Sequence, residues 1–352
     1  MLRLEARAAP PFWLVVTAPI LAAFSSLALA AIPLAWANAP VAQAFSLMIE
    51  GALGSRFAVT ETLTRATPLI LTGLAVAVAF RAKLWNIGAE GQLYAGALAA
   101  VALGTGWLAL PAVALLPLIM VAGALAGALL LLGPALLKQR LGVDEVVTTL
   151  LLNFVMLLFV GMMLEGPLKD PMGMGWPQSA PVVAEAELPK LLAKTRLHAG
   201  LLVALCAAVI VWLLINRTVT GFEMRAVGGN PRAARYAGIG VTRVTIKVAL
   251  LSGAFAGLAG VGEVVGLKGY LTQDLSPGYG YSGIVVAMLA QMHSLGVVFA
   301  ALFVAAVFVG ADSMSRALGV SSYLADLIVA TSLLMMLLAG LATRYRLIID
   351  RG

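Results

Sequence analysis

Thr220–Val241 reads TGFEMRAVGGNPRAARYAGIGV, and the fold turns on where this stretch can lie. It carries Arg225, Arg232 and Arg235, with Arg243 just beyond, in a sequence that is 62% hydrophobic and only 11% charged. Apolar runs of membrane-spanning length flank it on both sides. An arginine at the centre of the hydrocarbon costs about 2.5–3.5 kcal/mol on insertion scales, so the stretch forms a structured segment on one membrane face. Its pattern is helical. Phe222, Ala226, Ala233, Ala234 and Ala237 give a small apolar stripe, Asn230 suits an N-cap, and Pro231 suits the first turn after it. One reading is a solvated basic loop kept on its side by charge. The other is a docking helix that receives force from a soluble partner. Glu223 and the small-residue face around Gly228 favour the second, because a topology anchor needs no packing surface.

Working outward, a mean hydropathy of +1.01 and repeated apolar runs of about twenty residues predict an all-α, polytopic membrane helix bundle. Thirty-six glycines suit close helix packing in lipid. The single cysteine, Cys206, excludes an intrachain disulfide. The pI near 9.8 is explained by basic residues gathered on one side of the membrane, without nucleic acid. Ten spans are expected: Phe12–Trp36, Val59–Phe80, Ile87–Gly106, Leu108–Leu137, Val146–Leu164, Ala199–Ile215, Val244–Gly266, Tyr281–Met292, Val297–Gly310 and Tyr323–Ala342. The eighth and ninth can instead form one re-entrant hairpin. Ala37-Asn38-Ala39 resembles a signal-peptide cleavage site, but the first run is too long for a signal h-region and reads as an uncleaved helix. The whole of 1–352 reads as one transmembrane domain, with an external loop at 166–198 and the arginine segment at 217–243.

Charge sets the orientation. With both termini on one side, that side receives fifteen of the Lys and Arg residues, among them Arg81, Lys83, Lys138, Arg225 and Arg243. The other side receives eight, including Arg65, Lys190 and Lys268. The positive-inside rule then predicts cytoplasmic termini and a cytoplasmic arginine segment.

Three polar clusters fall at or near membrane depth. Asn86, Glu90 and Gln92 open the third span between Gly88 and Gly91. Polar groups there point toward a bundle interior or a water-filled path, or else cap the helix, with Asn86 as N-cap and Glu90 in its first turn. Asp274, Tyr279 and Tyr281 precede the eighth span, where aromatic hydroxyl groups beside glycines either take a planar polar ligand or form an interfacial belt. Thr148, Thr149 and Asn153 read as an interhelical hydrogen-bonding set. The two histidines, His198 and His293, lie too far apart in sequence to suggest a metal site, and neither a phosphate-binding glycine loop nor a nucleophile motif is present.

FRAKLWNIGAEGQ (Phe80–Gln92), GPLKDPMGMGWPQS (Gly166–Ser179), GFEMRAVGGNPRAARYAGI (Gly221–Ile239) and GYGYSGIVVAMLAQMHSLG (Gly278–Gly296) resemble, in this order, the inner-membrane permeases of ATP-binding-cassette importers. The likeness is to the branched-chain amino acid, simple sugar and nucleoside group, and most closely to its nucleoside-type members. It implies import driven by a separate cytoplasmic ATPase that binds the ATP, with no cofactor on this chain. It also implies an extracytoplasmic binding protein, a second and different permease subunit, and a bacterial inner-membrane location. On this resemblance Glu223, Arg225, Gly228, Asn230, Arg232 and Arg235 belong to the coupling helix. Asn86, Glu90 and Gln92 lie along the translocation path, to which Asp274, Tyr279 and Tyr281 are added as substrate-facing residues. A nucleoside is the first substrate expected and a simple sugar the alternative. An ATP-independent secondary transporter would need carboxylates paired at mid-membrane and would leave the arginine segment without a task. No catalytic constellation supports an enzyme.

Overall fold

The computed structural model describes Leu2–Ile349 apart from residues 7–10 and 38, and some side chains near both ends lie outside the described set. Arg7, Arg351 and the middle residue of the signal-like Ala37-Asn38-Ala39 therefore lie outside the described residues. In chain order the elements are β1 (Leu2–Ala6), α1 (Phe12–Trp36), α2 (Val41–Leu53), α3 (Arg56–Arg81), α4 (Ala89–Gly104), α5 (Ala112–Leu141) and α6 (Glu145–Glu165). There follow α7 (Gly200–Arg217), α8 (Val219–Gly229), α9 (Pro231–Tyr236), α10 (Val241–Val261) with a π-helical continuation Gly262–Lys268, α11 (Tyr279–Leu289), α12 (Ser294–Leu318), α13 (Ser322–Arg344) and β2 (Tyr345–Ile349).

Among the described residues seven helices are long and apolar enough to cross a membrane: α3, α5, α6, α7, α10 with its π continuation, α12 and α13. An eighth span arises if Phe24–Trp36 and α2, bent by 120° at Pro40, count as one broken crossing. Two of the ten expected spans fall below that length. The third and eighth, α4 and α11, have only 16 and 11 residues. The helix α2 was not expected at all, because Gln43 and Glu50 interrupt its apolar run.

The chain divides into two compact units, 1–62 with 302–352, and 63–301; the boundaries fall within α3 and within α12. In the first unit α1 packs along α13, with Ala30, Leu34, Ala44, Met314 and Ile328 in its core. β1 pairs antiparallel with β2, Leu2 opposite Ile349. The two terminal strands thus lie together.

In the second unit α4, α5 and α10 make the central packing. Glycines carry it: a Cβ at Gly127 would overlap the Gly253 carbonyl, and one at Gly260 would overlap the carbonyl of Leu93. Small residues let these backbones touch, and dispersion rather than water release holds them in lipid. Two ends can be told apart by what meets there. At one, the arginine end, Lys138 at the foot of α5 donates to the Lys83 carbonyl (3.1 Å) and pairs with Glu145 at the start of α6. Lys83 reaches the Gly229 carbonyl (3.4 Å), and Arg81 donates to the Met292 carbonyl (3.0 Å).

At the other end the 166–199 loop runs along the outer turn of α10. Leu188 N–H donates to Val265 (2.8 Å), Val182 N–H to Gly269 (2.8 Å) and Ser179 N–H to Leu271 (3.0 Å). The segment 269–292 therefore leaves the loop end and finishes at the arginine end. It traverses the unit from one end to the other, extended in its first half and helical in its second.

Candidate functional site

Asn86 and Gln92 are fully buried, and their amides pair in both directions, at 2.9 and 2.8 Å. Asn86 also donates to Ser252 Oγ (2.9 Å) and accepts the Gly88 N–H (3.0 Å). Ser252 in turn donates to the Ala75 carbonyl (2.7 Å). Every donor and acceptor position of the Asn86 side chain is occupied. The expected N-cap is corrected: Gly88 caps α4, without a side-chain bond. Asn86 lies two residues earlier and holds the turn that delivers the helix.

The cluster reaches further than its own stretch. Asn153 on α6 accepts the Gly91 N–H (2.8 Å) and donates to the Ile87 carbonyl (2.9 Å) and the Tyr281 hydroxyl (3.1 Å). Thr149 accepts the Ile87 N–H (3.2 Å). Of the set read from sequence as an interhelical bond, Thr149 and Asn153 thus form the wall of the Asn86–Gln92 turn, with Tyr281 attached, while the Thr148 hydroxyl bonds only to the Asp144 and Glu145 carbonyls.

Glu90 ties the first cluster to the second. Its carboxylate accepts the Gly280 N–H at 2.6 Å, and the Ser276 hydroxyl bonds to it as well. Ser276 itself accepts the N–H groups of Gly278 and Tyr279 (3.1 and 2.9 Å). Four residues on from Glu90, Tyr94 donates to the Gln273 carbonyl (2.6 Å) and accepts the Ser276 N–H (3.2 Å). The joint where the broken crossing turns helical is held by one face of α4.

Tyr279 is 3% exposed and has no open face for a planar ligand in this conformation. Tyr281 shows 38% of its surface. Asp274 sits apart from the buried cluster, exposed in the extended half. Lys268 donates to its backbone carbonyl (2.9 Å).

Sequence reasoning passed over Ser252, Tyr94, Ser276 and Glu263. Glu263 is 2% exposed in the π-helical turn of an otherwise apolar span. The rule that flagged Glu90, a carboxylate inside an apolar run, applies equally to it.

In the arginine segment Asn230 accepts the N–H groups of Arg232 and Ala233 (3.0 and 3.2 Å) and caps α9, with Pro231 in its first turn, as the sequence predicts. The buried face differs from the expected stripe. Gly221, Met224, Val227, Gly228 and Ala234 are inside, while Phe222 is 58% exposed. Gly228 lies against the end of α3, where a Cβ would overlap the Arg81 carbonyl. Arg225 folds back to the Ile215 carbonyl, and Glu223 lies 3.9 Å from Lys247. Arg232, Arg235 and Tyr236 face outward. Beside them a cleft of about 840 Å³ is lined by Arg235, Gly238, Thr242, Arg243 and Lys247, among others. Among the described residues no group of three or more His, Cys, Asp or Glu could hold a metal ion.

A family model described as branched-chain amino acid transport system / permease component matches residues 58–340. The glucose ABC transporter permease protein TsgB13 of Haloferax volcanii is 40% identical, over 98% of this chain and 93% of the relative. The guanosine ABC transporter permease protein NupP of Bacillus subtilis is 39% identical, over 90% of this chain and 91% of the relative. The nucleoside ABC transporter permease protein NupB of Lactococcus lactis is 34% identical, over 86% and 85%.

Proposed function

We propose, from the premise that this chain belongs to the branched-chain amino acid transport system permease family, that it is the membrane subunit of an ATP-driven importer of nucleosides. The observation that carries the reading is its likeness, over nine-tenths of both chains, to a guanosine permease. As a multi-pass membrane protein it sits in the cytoplasmic membrane, with the termini and α8–α9 on the inner side. It hydrolyses nothing and binds no cofactor. A separate cytoplasmic ATPase binds ATP, an extracytoplasmic binding protein delivers the solute, and a second, different permease subunit completes the pore.

The arrangement supports a route for force. Arg232 and Arg235, exposed on α9, meet the ATPase, and Glu223, Arg225, Gly228 and Asn230 keep α8 and α9 seated on α3, α7 and α10. Movement of that seat tilts α7 and α10. α10 packs closely on α4 and α5 through glycines, and α4 holds the joint of the broken crossing. Tyr281 and Asp274 face the path the solute takes, and Asn86, Glu90, Gln92 and Tyr279, buried in this conformation, frame it.

A simple sugar is the second reading, favoured by the similarity to a glucose permease. Proteoliposomes holding the complete complex decide between them. Uptake of labelled guanosine that needs ATP, and that excess glucose leaves unchanged, is the expected result. Glucose uptake that guanosine does not compete would replace the nucleoside with a sugar.

A further inference from the structure

α4 and α11 begin part-way along the length of α3, and their first residues are in contact. The Tyr279 carbonyl accepts the hydroxyl of Thr72 (3.0 Å), nine residues or about 13 Å up α3 from Arg81. A Cβ at Gly280 would overlap the Glu90 nitrogen, and Ala89 and Glu90 are the first residues of α4. Each helix N-terminus carries about half a positive elementary charge, so the meeting point holds about one. The Glu90 carboxylate lies between the two ends, 3% exposed, and accepts the Gly280 N–H at 2.6 Å. Paired helix ends of this kind attract an anionic group of the solute. Here the chain supplies its own.

We infer that Glu90 is an internal anion that neutralises this point of the pathway, so that the permease passes uncharged solutes and refuses phosphorylated ones. A nucleoside or free sugar offers hydroxyl and N–H donors that a carboxylate accepts. A nucleotide or sugar phosphate brings a second anion to a position whose positive charge is already spent. The inference rests on the reading of α4 and α11 as part of the pathway and adds a charge class to its substrate.

The test removes the charge and looks for an anion in its place. The purified complex with its ATPase is melted in sodium sulfate and in sodium gluconate at equal ionic strength. For Glu90→Gln, sulfate raises the melting temperature by up to roughly 2 °C for each tenfold increase above its dissociation constant. The native complex and Glu90→Asp, which keep the charge, show no sulfate-specific shift. A Glu90→Gln complex indifferent to sulfate, or a native complex that responds as strongly, overturns the inference. If Glu90→Gln assembles poorly, the yield extracted with and without sulfate takes the place of the melting curve. A yield that sulfate restores supports the internal anion, and an unchanged yield overturns it. Nucleoside uptake by the native complex is measured alongside. Its absence, with the sulfate response of Glu90→Gln intact, overturns the nucleoside reading and leaves the role of Glu90 standing.

Discussion

The side-chain amides of Asn86 and Gln92 bond to each other in both directions, and Ser252, 160 positions beyond Gln92, completes the set. An amide pair that satisfies itself in a dry interior has little left for a solute. Removing one member leaves buried donors and acceptors without partners, at about 1–3 kcal/mol for each group. Gln92→Ala is therefore expected to lower the yield of folded complex several-fold while uptake per assembled complex stays near normal. Quantifying both on one preparation checks this. Normal yield with lost uptake would make Gln92 a solute contact.

The contrast with Asn230 explains what the sequence made legible. Asn230-Pro231 is a local signal, since cap and first turn are adjacent residues, and α9 starts where they say. The bounds of α1 and α6 were likewise readable from apolar length. The partners of Asn86, Asn153 and Glu90 come from other helices, and no periodicity announces a contact between Glu90 and Gly280. The two short helices misled for a related reason. α4 and α11 are short because amides and a carboxylate from other helices meet their free N–H groups within the packed unit, a fact of tertiary packing. Glu263 was legible and passed over, hidden by the apolar average of its span.

Gly228 and Gly229 are neighbours with opposite surroundings. A Cβ at Gly228 would overlap the Arg81 carbonyl, whereas nothing lies within 4 Å of one at Gly229. Backbone does not yield as a side-chain tip does, so Gly228→Ala must lift α8 from α3, a strain of about 1–3 kcal/mol. The expected outcome is reduced coupled ATP hydrolysis and uptake for Gly228→Ala, with Gly229→Ala at native level in both. Equal behaviour of the two variants would show that the α8–α3 contact does not transmit force.

Arg232 tests the docking surface itself. It is exposed on α9, whereas the Arg225 side chain folds back to the Ile215 carbonyl of α7. A charge desolvated against a partner costs about 2–5 kcal/mol when its pairing is removed. Arg232→Glu is expected to lose capture of the ATPase by at least tenfold in a pull-down, with the permease still inserted. Capture at the native level would reduce the segment to a topology anchor.

Orientation can be read chemically. Gly229 and Met174 are exposed at opposite ends of the second unit, Met174 at 97%. With Cys206→Ser as background, Gly229→Cys should react with an impermeant thiol reagent only from the cytoplasmic side. Met174→Cys should react only from outside. The reverse pattern would invert the topology and remove the coupling role of α8 and α9.

His198 is expected to give the 166–199 loop a pH dependence. Its ring is fully buried against Gly266, Nδ1 accepts the Gly200 N–H (3.1 Å), and Nε2 has no partner. Burial first, and the nearby Lys190 second, push the imidazole down to about 4. Above the ordinary value of about 6.5 the ring is neutral whether the loop is closed or open, and pH has no effect through it. Below 6.5 the open loop takes up a proton that the closed loop refuses, so closure weakens as pH falls. The loss is complete near pH 4, where the buried ring protonates too, and amounts to about 3 kcal/mol. Hydrogen exchange at Leu188 and Ala199, whose N–H groups bond to Val265 and Pro189, reads the opening directly. After correction for intrinsic exchange, protection of these amides should fall from pH 6.5 toward pH 4, and His198→Gln should flatten the slope. A slope that survives His198→Gln would assign the pH dependence to another group.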